Sequence, residues 1–279
     1  MIKIHPIQTG LVRIRESQRD RKPGGPLRIL FDRNWTEWLP IYAWAIEHPE
    51  GIIVVDAGET SRVTEPGYLP RWHPFFQLAA GFDVKPTDEI GIQLCKVGIL
   101  PEDVKTVILT HLHTDHAGGL LHFPRNKIFV AGGEYQNALG LWGKLNGYLP
   151  HRWPKWFAPV PIPFTSAAFG GFARSFPVTI AGDVVVVPTP GHTPNHVSVI
   201  VKTGGLDYFL AGDTTYTEKQ LLERRSDGVS TKPKVTVATI GRICDYLSST
   251  PTVYLPSHDP DSAVRLRNGK VTKITRPGV

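Results

Sequence analysis

Apolar residues come in short runs that divide the chain into strand-sized pieces. Ile52-Ile53-Val54-Val55, followed by Asp56-Ala57-Gly58, reads as a buried strand ending in a turn, with Tyr42 to Glu47 as its hairpin partner. Val104 to Thr110 is a β-branched strand, and later strands are expected at Val184 to Pro188, Val197 to Val201, Tyr208 to Ala211 and Thr252 to Leu255. Helical patterns are fewer. Thr87-Asp88-Glu89 can cap and charge the start of a helix through about Val97, a short helix fits Thr217 to Leu222, and a longer one fits about Val235 to Leu247. Both halves mix strands with helices, and the strands feed polar loops. That pattern suits two sheets packed face to face with helices outside, an α/β sandwich, expected as one domain over residues 1–279.

Composition narrows the picture. A chain of 279 residues with 41% hydrophobic and 20% charged content can bury a full core, and 27 Gly with 25 Pro argue for many turns. The longest apolar runs fall far short of the roughly 20 residues that span a bilayer, so no membrane partner is expected. Met1-Ile-Lys-Ile-His-Pro has no secretory pattern, which places the protein in the cytoplasm as an expectation. Cys95 and Cys244 lack the spacing of a disulfide framework or zinc knuckle and read as small core residues. The net charge of +6 raises the question of nucleic acid, but Lys and Arg are scattered. The densest stretch, Arg13 to Lys22, reads as a flexible basic loop, so no nucleic-acid partner is expected.

The chemistry concentrates after the Val104 to Thr110 strand. His111-Leu112-His113-Thr114-Asp115-His116 puts three imidazoles and a carboxylate into six consecutive positions, the ligand types that zinc and similar cations prefer. Alternation sets His111 and His113 on one side of an extended segment, while Asp115 and His116 follow where the chain turns and can face a second ion. Gly118 and Gly119 permit the tight backbone path beyond them. Three further signals each lie where a strand ends: Gly191-His192-Thr193-Pro194, Gly212-Asp213 and Ser257-His258. Each is weak alone, and together they complete a set of seven ligands.

This order of motifs, with the Val55-Asp56-Ala57-Gly58 turn ahead of it, resembles the metallo-β-lactamase superfamily. The resemblance implies a four-layer αββα sandwich of two mixed sheets and a hydrolase holding two divalent metal ions. By it, His111, His113 and His192 hold the first ion, Asp115, His116 and His258 the second, and Asp213 bridges them. Zinc is the expected metal, although iron, cobalt and manganese suit the same ligands. Two such ions acidify a shared water into hydroxide and polarise a carbonyl, and Asp115 can then pass a proton to the leaving group. His196 is expected to orient a ligand from behind, and His5, His48, His73, His122 and His151 to be surface or packing residues.

Asp213-Thr214-Thr215-Tyr216 further resembles the quorum-quenching N-acyl-homoserine lactonases, in which Tyr216 would donate a hydrogen bond where negative charge develops. Its alternative reading is an aromatic packing residue. Lactone ring opening by metal-activated hydroxide is thus the expected activity, on a small-molecule lactone with an acyl chain. Aromatic clusters at Trp35, Trp38, Tyr42, Tyr68, Trp72, Phe75 and Phe76, and at Trp142, Trp153, Trp156, Phe157 and Phe164, could wall an acyl channel, form a homodimer interface, or be core. Ser17 to Leu39 could supply the dimerising extension that resembling lactonases carry. A glyoxalase II-like thioesterase shares all seven ligands, but only a short tail follows His258. A secreted β-lactamase, a phosphodiesterase and a non-catalytic binding module fit less well. Asn195 replaces a common glycine of the family, which raises the question of an altered turn.

Overall fold

The computed structural model describes residues 2–274. Seven strands form the first sheet: β1 (Lys3–Ile14), β2 (Leu39–Glu47), β3 (Ile52–Val55), β4 (Ala80–Asp83), β5 (Val104–Ile108), β6 (Lys127–Val130) and β7 (Val160–Pro161), in the order β4-β1-β2-β3-β5-β6-β7. Five form the second: β8 (Phe176–Pro177), β9 (Val184–Pro188), β10 (Val197–Lys202), β11 (Asp207–Gly212) and β12 (Thr252–Pro256), in the order β12-β11-β10-β9-β8. Both sheets are mixed, with β3, β5, β6 and β7 parallel in the first and β11 parallel to β12 in the second.

The two-residue period of a strand explains the layers. Trp44, Val55 and Ile108 of the first sheet meet Val184, Val186, Val199, Leu210 and Val253 of the second in one buried cluster between the sheets. Their neighbours point the other way: Val54 and Val107 pack with Ile90 and Leu94 of the helix Ile90–Lys96. On the far side Val185, Val187, Ile200 and Phe209 pack with Ile240, Ile243 and Cys244 of the helix Pro233–Ser249. A strand buried on both faces needs apolar residues at every position, which is why these runs are nearly continuous in Val and Ile. The architecture is the four-layer αββα sandwich that the resemblance implied.

Several local readings change. β1 was not among the expected strands, because Pro6, Gln8, Thr9 and Gly10 interrupt its apolar pattern. Gly10, at φ 119°, sits where the β1–β2 register shifts, so the strand survives by bending. Arg13 to Lys22 is not a loose basic loop: it holds the end of β1 and the short helix Glu16–Arg19, with Ser17 and Gln18 buried. Ser17 N donates to Asp32 Oδ2 at 2.8 Å, and the Arg21 guanidinium donates to the Ser230 carbonyl at 2.7 Å. Thr87 and Asp88 belong to a 3₁₀ turn ahead of the helix that starts at Ile90. Cys244 is buried as expected, but Cys95 is exposed, because it lies on the outer side of its helix. Asn195 does not adopt a left-handed backbone; its side chain instead packs over Gly133, where any side chain would collide with it. Among the described residues no helix is long and apolar enough to cross a membrane.

Candidate metal centre

The chain leaves β3, β5, β9, β11 and β12 at one rim of the sandwich, and each exit delivers a polar side chain there. Asp56, just past β3, has a left-handed backbone (φ 64°). That turn aims its carboxylate at the loop after β5, where it accepts from Thr110 N (2.7 Å), from Thr110 Oγ1 (2.9 Å to Oδ2) and from His116 Nδ1 (2.8 Å). Beyond the loop, Gly118 and Gly119 pass so close to Glu59 and the Ala57 carbonyl that a Cβ at either would overlap them. Close approach, more than unusual φ, is what these glycines provide.

The structure brings all seven candidate side chains together. His111, His113 and His192 offer nitrogens within one cluster, Asp115 an oxygen and His116 and His258 nitrogens within a second, and Asp213 joins His111 and His116 in a third. Asp213 lies between: its Oδ1 is 3.2 Å from His116 Nε2 and 3.2 Å from His258 Nε2, and its Oδ2 is 3.5 Å from His192 Nε2. Asp115 Oδ2 stands 3.4 Å from His258 Nε2.

Each imidazole is oriented from behind. His111 Nδ1 donates to Thr110 Oγ1 (3.1 Å), His113 Nε2 to the Asn146 carbonyl (3.2 Å) and His116 Nδ1 to Asp56. His192 Nδ1 donates to Asp227 Oδ2 (2.8 Å), and His258 Nδ1 to the Pro40 carbonyl (2.8 Å). Carbonyls and carboxylates only accept, and the Thr110 hydroxyl proton is already directed to Asp56. The single proton of each neutral ring is therefore fixed on its outer nitrogen and the inner nitrogen is left bare.

Bare lone pairs facing one another need a cation. His113 Nδ1 is 3.1 Å from His111 Nε2 and 3.0 Å from His192 Nε2, and neutral rings oriented in this way have no proton to join them. His116 Nε2 and Asp213 Oδ1 are buried and make no hydrogen bond at all. Unpartnered buried groups of this kind cost about 1–3 kcal/mol each. Burial, reinforced by the neighbouring imidazoles, holds His111 and His113 far below their ordinary value. For His116 and His258 burial is again the largest single influence and acts downward, but the carboxylates together outweigh it, Asp213 foremost, with Asp56 and Asp115 at His116 and Asp115 at His258, so both are drawn upward. The cluster fits divalent cations on both counts, its donor types and its demand for positive charge.

Surrounding residues hold the frame. His196 is buried and neutral, pushed down to about 3 by burial; its Nε2 accepts from the Asp213 backbone N–H at 3.1 Å and its Nδ1 donates to Thr189 Oγ1 at 2.9 Å. It thus steers Asp213 through the main chain. Glu134 accepts from Tyr148 Oη (2.6 Å) and Thr193 Oγ1 (2.8 Å), tying the helix Gly132–Leu139 to the residues beside His113 and His192. His5, His48 and His122 pair with Glu47, Asp183 and Glu89 away from the centre.

Tyr216 is buried, its ring stacked 5.6 Å from that of His258 and edge-on to His192 at 6.0 Å. Burial and the charges of Asp213 and Asp227 push its hydroxyl well above the usual tyrosine value, so it stays a donor. His113, Asp115, His192, Asp213 and Tyr216 form the floor of a cavity of about 500 Å³, walled by apolar residues that include Ile14, Leu30, Trp72, Phe76 and Trp142. The aromatic clusters therefore divide by residue. Trp72, Phe75, Phe76 and Trp142 face the cavity. Tyr42 lies between the sheets, Trp153 and Phe157 pack with the first sheet's outer core, and Trp35 is covered by Arg13 and Arg15. His73, expected in packing, lines the cavity and donates to the Leu145 carbonyl at 3.1 Å.

Sequence reading missed Asp227, whose setting Arg225-Ser226-Asp227-Gly228 looks like any polar turn. Asp227→Asn is expected to weaken metal binding about 10–100-fold, because the amide can present its donor end to His192 and upset the tautomer. Competition against a chromophoric chelator measures this; unchanged affinity would deny Asp227 its orienting part.

A family model of the metallo-beta-lactamase superfamily matches residues 36–263. Similar proteins include the N-acyl homoserine lactonase AttM of Agrobacterium fabrum, 28% identical over 229 residues that make up 80% of this chain and 83% of that one. The N-acyl homoserine lactonase AiiA of Bacillus thuringiensis subsp. kurstaki is likewise 28% identical, over 79% and 82% of the two chains. In fold the chain is similar to an N-acyl homoserine lactone hydrolase solved with N-hexanoyl-L-homoserine at its catalytic metal centre (TM-score 0.72, 21% identity, 93% of each chain). It is also similar in fold to AidC, a dizinc quorum-quenching lactonase (TM-score 0.65, 15% identity, 93% and 88% of the chains). The matched residues 36–263 contain every strand of the second sheet and all seven convergent side chains, so the chain belongs to the metallo-beta-lactamase superfamily.

Proposed function

We propose that this protein is a dinuclear-metal lactonase that opens the ring of N-acyl-homoserine lactones to the free hydroxy acid. The observation that carries the reading is a single cavity with the histidine and aspartate cluster at its floor and apolar side chains along its walls. A polar lactone head belongs against the cluster and an acyl tail against the walls. The activity of the AttM and AiiA lactonases supports the same substrate class.

His111, His113 and His192 would hold one ion, Asp115, His116 and His258 the other, and Asp213 both; zinc suits these donors best, with iron, cobalt and manganese as alternatives. Bound divalent cations supply an acidified water and a Lewis acid for the ring carbonyl. The rest is done by the chain. Tyr216 donates a hydrogen bond from its hydroxyl to the carbonyl oxygen as that oxygen gains charge. Asp115, partly exposed at the cavity floor, takes a proton from the attacking water and passes it to the ring oxygen as the carbon–oxygen bond breaks. The apolar walls exclude bulk water from the head group.

Titrimetric turnover of acyl-homoserine lactones of graded chain length, on protein of measured metal content, tests the reading. Ring opening abolished by chelation is the expected result. Intact lactones beside a rapidly cleaved thioester would overturn it. Since burying each methylene is worth about 0.8 kcal/mol, kcat/KM is expected to rise about fourfold per added carbon until the cavity is filled. A flat profile from butanoyl to decanoyl substrates would place the acyl chain outside this cavity.

A further inference from the structure

The short helix Glu16–Arg19 carries one side chain to the centre. Gln18 is 5% exposed, lines the cavity, and donates from Nε2 to the Tyr216 hydroxyl at 3.1 Å. Its own position is held firmly. The Gln18 carbonyl accepts from Gly228 N at 2.7 Å, in the loop that carries Asp227. One residue on, the Arg19 carbonyl accepts from Gln220 Nε2 at 2.8 Å, while Gln220 Oε1 accepts from Tyr216 N at 2.7 Å. Tyr216 is thus gripped at both ends, its backbone by Gln220 and its hydroxyl by Gln18.

A phenol oxygen has one proton and two lone pairs. An amide N–H can only donate, so it occupies a lone pair and leaves the phenol proton to point elsewhere. Gln18 is the sole hydrogen-bond partner of the Tyr216 hydroxyl among the described residues, and no protein acceptor there competes for that proton. Had a carboxylate stood in place of the amide, it would draw the proton away from the cavity. A donated hydrogen bond also polarises the O–H it supports.

We propose that Gln18 is a positioning residue that sets the polarity of Tyr216: by donating to the phenol oxygen it turns the hydroxyl proton into the cavity, toward the substrate carbonyl. The identity of that carbonyl rests on the lactonase reading; the polarity does not. The amide's donor end, Nε2, stands 3.1 Å from the phenol oxygen, while Oε1 is enclosed without a partner.

The test compares metal-loaded wild type with Gln18→Met, which keeps the shape without a donor, with Gln18→Glu, which accepts once ionised, and with both changes in a Tyr216→Phe background. Metal content is measured on every sample. Gln18→Met is expected to lower kcat about tenfold with KM within about twofold. Gln18→Glu is expected to fall as far as Tyr216→Phe, about 10²-fold, with its deficit relative to wild type growing as pH rises and its carboxyl ionises. In the Tyr216→Phe background neither change should lower kcat further. Full activity of Gln18→Glu would show that the acceptor end faces Tyr216 and overturn the proposal. Equal losses with and without the tyrosine hydroxyl would also overturn it, since Gln18 would then act through packing. Wild type that leaves lactones intact removes the lactonase reading alone; the same variants, measured on the ester or thioester that it does cleave, then decide the polarity.

Discussion

Asp213→Ala is expected to lower turnover by about 10³-fold and to cost the protein at least one of its metal ions. Asp213 reaches both halves of the cluster, with Oδ1 shared between His116 and His258 and Oδ2 toward His192. Without it, the inward nitrogens of His116 and His192 lose the carboxylate that stands within 3.5 Å of them, His258 keeps only Asp115 at 3.4 Å, and two cations would face each other unscreened. Elemental analysis with kcat on the same sample measures both effects. Asp213→Asn provides the comparison: it preserves volume but removes the charge, so it should lose metal as well. An alanine variant with two ions and wild-type turnover would refute the bridging position.

Tyr216→Phe is expected to lower kcat about 10²-fold while leaving KM within about twofold and metal content unchanged. The hydroxyl is the only atom removed, and the ring remains stacked on His258. A hydrogen bond that strengthens only as the carbonyl oxygen gains charge appears in kcat, whereas a contact made equally to bound substrate appears in KM. Were Tyr216 merely a packing residue, phenylalanine would serve as well, so wild-type kcat in this variant would remove the oxyanion role. The two predictions separate cleanly, because the first acts through metal occupancy and the second leaves it untouched.

The parts of this molecule that sequence made legible are those where one physical demand governs every position. β9 to β12 are buried on both faces, so their apolar runs, Val-rich in β9 and β10, could be read without context. The run from His111 to His116 was legible because its side chains are adjacent in the chain as well as in space. β1 was not, since its bend at Gly10 and its exposed polar positions break the alternation that marks a strand. Asp227 and Gln18 were hidden for a different reason: each acts across a long sequence separation, on His192 and on Tyr216, from segments whose local composition reads as a turn and a basic loop. Nor can spacing reveal that His113 faces inward through Nδ1 while the other four rings use Nε2; the Asn146 carbonyl decides it.

The sources of the seven side chains also bear on how the protein comes into being. A growing chain carries His111 to His116 on one loop early, but His192, Asp213 and His258 arrive only with the second sheet, and His258 is aimed by the carbonyl of Pro40 at the start of β2. On the proposed ligand sets, the first metal position would be complete only once His192 and Asp213 of the second sheet face the His111 to His116 loop, and the second only once β12 has docked beside β11 and brought His258. Metal acquisition by the proposed ligands would then be a late event in biogenesis, a lock on a joint already formed, and its binding free energy would strengthen the seam between the sheets more than either sheet itself.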